Sequence, residues 1–492
     1  MRDKNKLETA KAVVLKPGDN EKNNSKGVET MKNNSSGYLF VLLIMGILVI
    51  LSGITLFAQE PFGFRSNGQG RYPDASPVTE WGVSTNVMWK APMPGGSNAS
   101  PVLCGDRLFV CSEPSTLVCV NRSDGKILWQ KSNDYSDLLT DPGEREKALK
   151  EGKKSADLKK ALDAKNSESW KLSGQLKKSP EDKDLKKQIE ETKKQIEELV
   201  RNINQLAFGP PRTEKSNGYT SATPVTDGKL VWAVFGSGVV VCYDWEGNRI
   251  WGRFIEKPPH EWGSCISPVL AGNMLLVQFD NMYGIEAATG KQQWKTKTPW
   301  GWGSPVLVSA GEQTLVYTCK GSAIRVNDGV EVFRGVANLG FNSAVLQDDT
   351  IYYIQEIPKA FKPSRDPLVK PKELWTGAKI RNGRYYATPL VHNGLIYALV
   401  ESDVLTVLDG NTGLAVYEKK LEHLKGTAYS SPTLAGKYIF LSSENGNTVV
   451  LEPGREYKEV ARNVLEPFRS TPVFSENRMF LRTAKNLFCI GK

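Results

Sequence analysis

Short apolar runs separated by glycine turns recur along most of this 492-residue chain. The stretch SPVLAGNMLLVQF, Ser267–Phe279, and the stretch SPTLAGKYIFLSS, Ser431–Ser443, have the same order of residue types. Each begins with Ser-Pro and continues through a few apolar residues and a glycine turn into an alternating apolar run. Alternation with a period of two, bounded by glycine turns, predicts short β-strands joined as hairpins.

The Ser/Thr-Pro pair, termed the anchor, marks each copy of this pattern. Seven anchors end at Pro101, Pro224, Pro268, Pro305, Pro389, Pro432 and Pro472. An eighth copy, FNSAVL, has Ala344 in the proline position, and from Pro224 onward the copies are 37 to 45 residues apart. A period of about 40 residues built from short strands predicts the blades of a β-propeller.

A second phrase ends each copy and is termed the closer. NRSDGKILW, DWEGNRIW and AATGKQQW end at Trp129, Trp251 and Trp294, and weaker forms end at Phe333, Trp375, Tyr417 and Val460. The Asp/Asn-x-x-x-Gly turn supplies a left-handed backbone position for a tight hairpin, after which the aromatic residue begins the outer strand. We expect these aromatic rings to pack between neighbouring blades.

The two ends of the repeat region complement each other. A closer without a blade in front of it, TNVMWK with Trp89, precedes the first anchor, whereas the copy that begins at Pro472 ends at NLFCIGK without an outer strand. The sequence therefore predicts an all-β, eight-bladed β-propeller of four-stranded blades, in which the strand of Trp89 pairs beside Phe488. Such closure removes the free sheet edges of an open array.

One interval, between Pro101 and Pro224, is 123 residues long, far more than a blade needs. Its second half has an apolar seam at helical spacing: Ile189, Thr192, Ile196, Leu199, Ile203 and Leu206. A poorer seam in the first half runs through Leu158, Leu162, Leu172 and Leu176. These seams predict an antiparallel, coiled-coil helical hairpin over 140–208, with Ser179 capping its second helix. The hairpin is either a docking or dimerisation arm or a solvated spacer.

Residues Tyr38–Phe57, YLFVLLIMGILVILSGITLF, form an uncharged apolar run that matches the thickness of a bilayer. Lysines precede this run and none follows closely, which predicts a cytoplasmic, disordered tail over 1–37 and a transmembrane anchor over 38–58. The propeller, 60–139 and 209–492, then lies on the periplasmic side of the inner membrane. A cleaved signal peptide is the alternative, although Leu56-Phe57-Ala58 has a large residue at the best cleavage site.

The net charge of +10 does not indicate nucleic-acid binding. Residues 1–37 have eight Lys/Arg against five Asp/Glu, and residues 144–201 have seventeen against thirteen. Most of the basic excess thus lies outside the predicted propeller, whereas a nucleic-acid surface needs basic residues gathered on one face.

The D-x-x-x-G-x-x-x-W closers together with the Ser-Pro anchors resemble pyrroloquinoline-quinone-type (PQQ-like) propeller repeats, and Phe62–Val110 resembles the start of exported PQQ-like repeat proteins. One branch of this family, similar to quinoprotein alcohol and glucose dehydrogenases, implies a quinone held between a Trp and a ring of two adjacent cysteines, with a calcium ion and an Asp base. The chain has no Cys-Cys pair, and its three histidines lack metal-ligand spacing. We therefore expect no catalytic, cofactor-binding or metal-binding residues and no PQQ.

The other branch resembles the propeller lipoprotein of the outer-membrane assembly machinery, which implies an adaptor without catalysis. This chain has no lipid-accepting Cys after its apolar run and carries the helical insert. The favoured prediction is a membrane-anchored, exported, non-catalytic scaffold for protein partners in the cell envelope. The alternatives are a carbohydrate- or polymer-binding or hydrolytic module, and a quinone-dependent oxidoreductase.

A candidate rim for a ligand or partner comes from the position three residues before the anchor proline. The rim consists of six residues at that position and of one nearby residue, Trp262. The six are Trp302, Phe341, Tyr386, Tyr429, Arg469 and Asn98. Loops that enter the innermost strands of a propeller line one mouth of its channel, and flat rings there suit sugars or peptide side chains. The alternative is that the rings seal adjacent blades.

Overall fold

The computed structural model describes residues 62–260 and 262–492, which contain eight sheets and three helices. The predicted cytoplasmic tail 1–37 and membrane segment 38–58 lie outside the described residues. Among the helices that are described, none is both long enough and apolar enough to cross a bilayer.

Each sheet is one four-stranded antiparallel blade, and one blade gains a fifth, parallel strand. Blades 1 to 4 consist of β3 to β6 (Val102–Cys104, Arg107–Ser112, Thr116–Asn121, Ile127–Ser132), β7 to β10 (Val225–Thr226, Leu230–Val234, Val239–Asp244, Arg249–Phe254), β11 to β14 (Val269–Ala271, Met274–Gln278, Asn281–Glu286, Gln292–Lys297) and β15 to β18 (Val306–Ala310, Gln313–Tyr317, Ala323–Arg325, Glu331–Phe333). Blades 5 to 7 consist of β19 to β22 (Val345–Gln347, Thr350–Tyr353, Lys359–Lys362, Lys372–Thr376), β23 to β26 (Leu390–His392, Leu395–Leu399, Val404–Asp409, Ala415–Lys420) and β27 to β30 (Thr433–Ala435, Tyr438–Ser442, Asn447–Glu452, Lys458–Val464). Blade 8 combines β31 (Val473–Ser475), β32 (Arg478–Arg482) and β33 (Asn486–Ile490) with β2 (Val87–Pro92), and β1 (Arg71–Tyr72) is the extra strand of blade 7.

Blade 8 closes the ring by joining the two ends of the propeller. Strand β2 pairs antiparallel with β33, with Trp89 opposite Cys489 and Lys90 opposite Phe488. The predicted eight-bladed fold and its closure by the strand of Trp89 are therefore confirmed.

The hydrophobic core lies between neighbouring blades. The middle strands of each blade are almost fully buried, since both of their faces meet another sheet. One core cluster joins Phe109 of blade 1 to Phe235 and Tyr243 of blade 2, and another joins Val118 of blade 1 to Phe480 of blade 8. The apolar contacts thus continue across the closing seam.

The tryptophans of five closers pack between blades, as predicted. Their indole N–H groups donate to a backbone carbonyl of the next blade over 2.8–3.1 Å: Trp89 to Arg122, Trp129 to Trp245, Trp251 to Ala287, Trp294 to Val326 and Trp375 to Gly410. Each ring lies against the turn glycine of that blade's closer. At Gly329, for example, φ is +73° and a Cβ atom would lie 2.5 Å from the Trp294 ring. The glycine of one closer therefore makes room for the tryptophan of the closer before it.

Two long helices, α2 (Pro142–Lys178) and α3 (Lys183–Asn204), follow the short helix α1 (Tyr135–Leu138) in the insert between blades 1 and 2. Helices α2 and α3 pack against each other, and a turn of only four residues connects them. The two helices therefore run antiparallel. In α3 the predicted seam is buried at Ile189, Thr192 and Ile203. The coiled-coil geometry itself stays a prediction.

One expectation for the insert is wrong. Ser179 ends α2, and α3 begins at Lys183 because Asp182 caps it by accepting from the N–H groups of Asp184 and Leu185. In α2 the predicted seam is buried at Leu162 and half-buried at Leu158, Leu172 and Leu176. Ala148 and Ser155 are buried as well, and a search for large apolar residues does not detect such small ones.

Candidate functional site

A closed ring of hydrogen bonds joins all eight blades at the anchors. It is formed by the residue before each anchor proline position, and we term it the hydroxyl ring: Ser100, Thr223, Ser267, Ser304, Ser343, Thr388, Ser431 and Thr471. The backbone N–H of each member donates to the side-chain hydroxyl of the next blade's member over 2.8–3.2 Å. Thr471 donates to Ser100 and so completes the circle.

All eight members of the hydroxyl ring are at most 6% exposed. A buried backbone N–H without a partner is costly, and these N–H groups lie where one blade ends and the next begins. The copy that lost its proline to Ala344 keeps Ser343, because the hydroxyl is the part that joins the blades. In the sequence the anchor is visible as a marker of the repeat, but its role in joining the blades is not.

A cavity of about 440 Å³ lies against the hydroxyl ring and is termed the mouth pocket. All seven residues of the predicted rim line it: Asn98, Trp262, Trp302, Phe341, Tyr386, Tyr429 and Arg469. Ser221 and Cys265 also line it, at the same offset before their own anchors. The position three residues before the anchor thus faces the mouth pocket in every blade, and the same offset could have identified these two.

On one side of the mouth pocket the rings of three blades pack in series. The centroids of Phe341 and Tyr386 are 5.0 Å apart, and those of Tyr386 and Tyr429 are 4.7 Å apart at 29°. The guanidinium carbon of Arg469 lies 4.2 Å from the Tyr429 centroid, and that of Arg384 lies 5.9 Å from the Phe341 centroid. The rings therefore both line the pocket and seal neighbouring blades. Since Tyr386 has a ring on either side, it can offer a ligand mainly its edge and hydroxyl.

The segments that lead into blades 3 and 4 hold a second aromatic cluster. The rings of His260 and Trp300 are stacked at 5.2 Å and 4°, and the Trp302 ring meets Trp300 at 4.6 Å and 68°. Trp262 is 48% exposed and, among the described residues, no ring contact involves it. Its indole is thus the most accessible aromatic surface of the mouth pocket.

Residues 213–221, termed the mouth loop, lie across this opening. The Asn98 side-chain amide donates to the Ser216 and Asn217 carbonyls over 2.9 and 3.2 Å. Arg469 donates to the Ser216 carbonyl over 2.7 Å while paired with Glu444 at 2.6 Å. The Asn217 amide also donates to the Trp262 carbonyl over 2.6 Å. Three members of the predicted rim therefore form hydrogen bonds with this loop. The loop has no counterpart in other blades, so the repeat could not predict it.

The mouth loop is fixed from below by Glu113 and from outside by the helical insert. Glu113 accepts from the N–H groups of Tyr219 and Thr220, both over 2.8 Å, and burial raises its pKa. Lys159 of α2 donates to the Tyr219 hydroxyl over 2.7 Å, and Lys215 pairs with Asp163 of α2 at 2.9 Å. The hairpin and the mouth pocket thus share the mouth loop as a common element.

Residues 62–72, termed the plug, cross the channel at the other side of the hydroxyl ring. Phe62 exchanges two backbone hydrogen bonds with Thr226 of blade 2, and β1 pairs parallel with β27 of blade 7. Between these points Phe64 lines the mouth pocket and Arg65 is 1% exposed. The plug forms the floor of the channel.

The residues present do not fit a calcium-bound quinone. The described lining of the mouth pocket contains no carboxylate, whereas calcium sites in proteins commonly combine Asp or Glu carboxylates with carbonyl oxygens. No group of three or more His, Cys, Asp or Glu side chains in the described part of the chain could hold a metal ion. All seven cysteines are free, and burial raises the pKa of thiols such as Cys119 and Cys265 to about 12, so they are poor nucleophiles.

A family profile for outer membrane protein assembly factor BamB matches residues 65–145 and 236–356. A europium-containing methanol dehydrogenase is 10% identical, with 87% of this chain and 98% of that chain covered and a TM-score of 0.50. The quinohemoprotein alcohol dehydrogenase ADHIIG of Pseudomonas putida HK5 is also 10% identical, with 86% and 80% covered and a TM-score of 0.50. BamB of Moraxella catarrhalis is 13% identical, with 54% and 82% covered and a TM-score of 0.44.

No curated protein sequence matches the chain at a significant level. At 10% identity, the structural likenesses concern the fold alone. The predicted resemblance to PQQ-like propellers is confirmed by the profile match together with this fold.

Proposed function

We propose that this chain, a PQQ-like β-propeller, is a non-catalytic scaffold that binds a protein partner in the cell envelope through its helical hairpin. The observation that carries the proposal is Trp170 of α2, whose side chain is 84% exposed. Tryptophan is the residue type most enriched at the energetic centres of protein interfaces, and a fully exposed one has no role in the chain's own core.

The shape of the insert supports this proposal. Helix α2 has 37 residues and is therefore about 55 Å long. Its base is tied to the propeller, since Ala148 belongs to the core cluster of blades 1 and 2. The helix is held again at Lys159 and Asp163, which contact the mouth loop, and Trp170 lies seven residues beyond Asp163. A helix that is held along its first part and carries an exposed indole beyond it is suited to contact a partner.

The test compares two exposed tryptophans of the same chain. A photo-activated cross-linker introduced at neighbouring positions of α2 in producing cells identifies the partner, and co-purification of that protein is then measured with Trp170→Ala and with Trp262→Ala. We expect recovery to fall at least tenfold with Trp170→Ala and to stay unchanged with Trp262→Ala. Equal recovery with both variants, or loss with Trp262→Ala alone, would contradict the hairpin as the docking arm.

We further propose that residues 38–58 anchor the protein in the inner membrane, with the propeller in the periplasm. The support is the uncharged run and the lysines before it. Fractionation and protease accessibility test this. The full-length chain should sediment with membranes and be digested by protease added outside spheroplasts. Recovery of all the protein as a shortened soluble chain would instead show cleavage.

A second candidate function is binding of a carbohydrate or the end of a polymer chain in the mouth pocket. It is favoured by the convergence of all seven predicted rim residues on one cavity of a size usual for small ligands. The candidate is binding rather than hydrolysis, since glycosidases use a pair of carboxylates and the described lining provides none. Calorimetric titration with envelope oligosaccharides tests it, with Trp262→Ala expected to weaken binding and Trp170→Ala expected to have no effect.

We also propose that the protein uses no quinone cofactor. The support is the donor set of the mouth pocket and the lack of a Cys-Cys pair in the sequence. Purified protein mixed with PQQ and calcium should show neither a shifted quinone absorbance nor alcohol-dependent dye reduction, and either signal would restore the oxidoreductase alternative.

A further inference from the structure

The plug places one positive charge deep in the channel. Arg65 is 1% exposed, and its Nη2 atom donates to the carbonyls of Gln69 over 3.1 Å and of Pro389 over 2.9 Å, with a longer contact of 3.4 Å to the carbonyl of Pro432. Pro389 and Pro432 directly follow Thr388 and Ser431 of the hydroxyl ring. The guanidinium therefore lies within one residue of the ring, where blades 6 and 7 enter the channel.

Among the described residues, the rest of this guanidinium has no hydrogen-bond partner. The Nε and Nη1 atoms are buried and make no hydrogen bond, and no described carboxylate forms an ion pair with Arg65. Burial lowers the pKa of Arg65 to about 9, so the group is still charged at neutral pH. Burying an unpaired charge is among the most costly events in folding, and buried charges are normally paired.

Arg482, the other fully buried arginine, differs from Arg65 at its terminal nitrogens, although its Nε is also buried without a partner. Its Nη1 donates to the carbonyls of Thr483 and Asn486, and its Nη2 donates to Gly95 and to the Ser112 hydroxyl. Both terminal nitrogens of Arg482 thus have acceptors, whereas Arg65 uses only one of its two.

Other hydrogen-bond donors lie beside Arg65 and around the channel at the hydroxyl ring. The Tyr72 hydroxyl, which is close enough to interact electrostatically with Arg65, is also buried without a partner. Each hydroxyl of the ring uses its oxygen to accept an N–H, and none of the eight donates its own hydrogen to a described residue. A positive charge among O–H and N–H donors is the chemistry that receives an anion.

We propose that the channel binds a small anion against Arg65, with Nε and Nη1 of the guanidinium as its principal donors. The shared chemistry is one negative charge on a halide or a carboxylate. This charge belongs either to a free ion in solution or to the carboxylate of a ligand that enters through the mouth pocket. Phe64, the neighbour of Arg65 in the plug, lines that pocket. This proposal does not depend on the docking role of the hairpin.

Anomalous diffraction tests the site directly. Crystals of the protein grown in sodium bromide should show an anomalous peak at hydrogen-bond distance from Nε or Nη1 of Arg65. Crystals grown in sodium acetate should show a carboxylate there. Water alone at Nη1 in both salts overturns the proposal.

Thermal unfolding provides the measurement in solution, at constant ionic strength with a bulky sulfonate that has no carboxylate, such as 2-(N-morpholino)ethanesulfonate, as the reference. Replacing this sulfonate with bromide or acetate should raise the Tm of the wild-type protein by about 3 °C at 100 times the dissociation constant. Arg65→Met should remove this rise, whereas the control Arg482→Met should lower the Tm but keep it. If Arg65→Met does not fold, Arg65→Lys, which keeps the charge but not the fork of donors, should weaken the rise.

The outcomes separate the two sources. A rise with both bromide and acetate indicates a free anion, and a rise with acetate alone indicates a carboxylate ligand. An identical Tm in all three salts, or a rise that persists in Arg65→Met, contradicts the site. Neither result bears on co-purification of a partner through Trp170.

Discussion

The residue directly before each anchor proline and the residue two positions earlier behave in opposite ways. The first position has a hydroxyl in all eight blades and builds the hydroxyl ring. The second position has eight residues of seven types, all facing the mouth pocket: Asn98, Ser221, Cys265, Trp302, Phe341, Tyr386, Tyr429 and Arg469. The uniform position holds the blades together, and the varied position gives one end of the channel its individual chemistry. Repetition in this chain therefore marks structure, and departure from it marks the candidate site.

The closers provide the strongest way to test the structural half of this comparison. Trp294→Ala should lower the free energy of unfolding by about 3–5 kcal/mol, because it leaves a cavity against Gly329 and removes the bond to Val326. Chemical denaturation measures this loss. Trp170→Ala, at an exposed position, is the control and should change stability by no more than about 0.5 kcal/mol. Equal losses would mean that the closers do not hold the blades.

The hydroxyl ring should respond next most strongly. Ser304→Ala leaves the buried N–H of Ser267 without its acceptor and should cost about 1–3 kcal/mol of unfolding free energy. Ser304→Thr should restore most of the loss, since Thr223, Thr388 and Thr471 serve the same role in other blades. A threonine variant as unstable as the alanine variant would show that packing, rather than the hydroxyl, matters here.

At the varied position we expect a smaller effect on the free energy of unfolding, because the side chain there does not join the backbones of neighbouring blades. Tyr386→Leu should cost less than about 1.5 kcal/mol of unfolding free energy, because it removes the ring contacts to Phe341 and Tyr429 but leaves no backbone group unsatisfied. Denaturation of this variant beside Ser304→Ala gives the comparison within one assay. A larger loss for Tyr386→Leu would reverse the roles of the two positions.

The contact between the hairpin and the mouth loop should depend on pH. Burial lowers the pKa of Lys159 from 10.5 to about 8, so the unfolded chain binds this proton more tightly than the folded protein. The contribution of Lys159 to stability should therefore rise between pH 8 and 10.5. Lys159→Met should flatten this rise in denaturation curves, and Lys160→Met, its exposed neighbour, should not. A slope unchanged in Lys159→Met would contradict the burial of this ammonium group.

Much of the fold could be predicted because its information is periodic. The anchors located eight blades, and the unmatched phrases around Trp89 and Phe488 located their closure. The offset of the rim residues was enough to bring Trp302 and Tyr429, which are far apart in sequence, to one cavity. A repeated feature can be compared between its copies in one chain, so the other copies correct the misreading of any single one.

The features that the sequence did not predict are those without a copy elsewhere in the propeller. The mouth loop has no copy in another blade, and Arg65 lies in a segment that resembled only the start of the propeller. The start of α3 was misplaced since Ser179 and Asp182 both suit a cap, and the choice depends on where α2 ends. Contacts between distant, unique segments leave no periodic signal in a single chain.

The pairing of β2 with β33 means that blade 8 can be completed only late in the synthesis of this protein. Residue 92 is finished long before residue 486, so the outer strand of blade 8 must wait unpaired while some 400 residues are synthesised. During that time the strand has an open edge that another chain could occupy. A ribosome that stops before residue 486 would release a chain whose ring of blades cannot close.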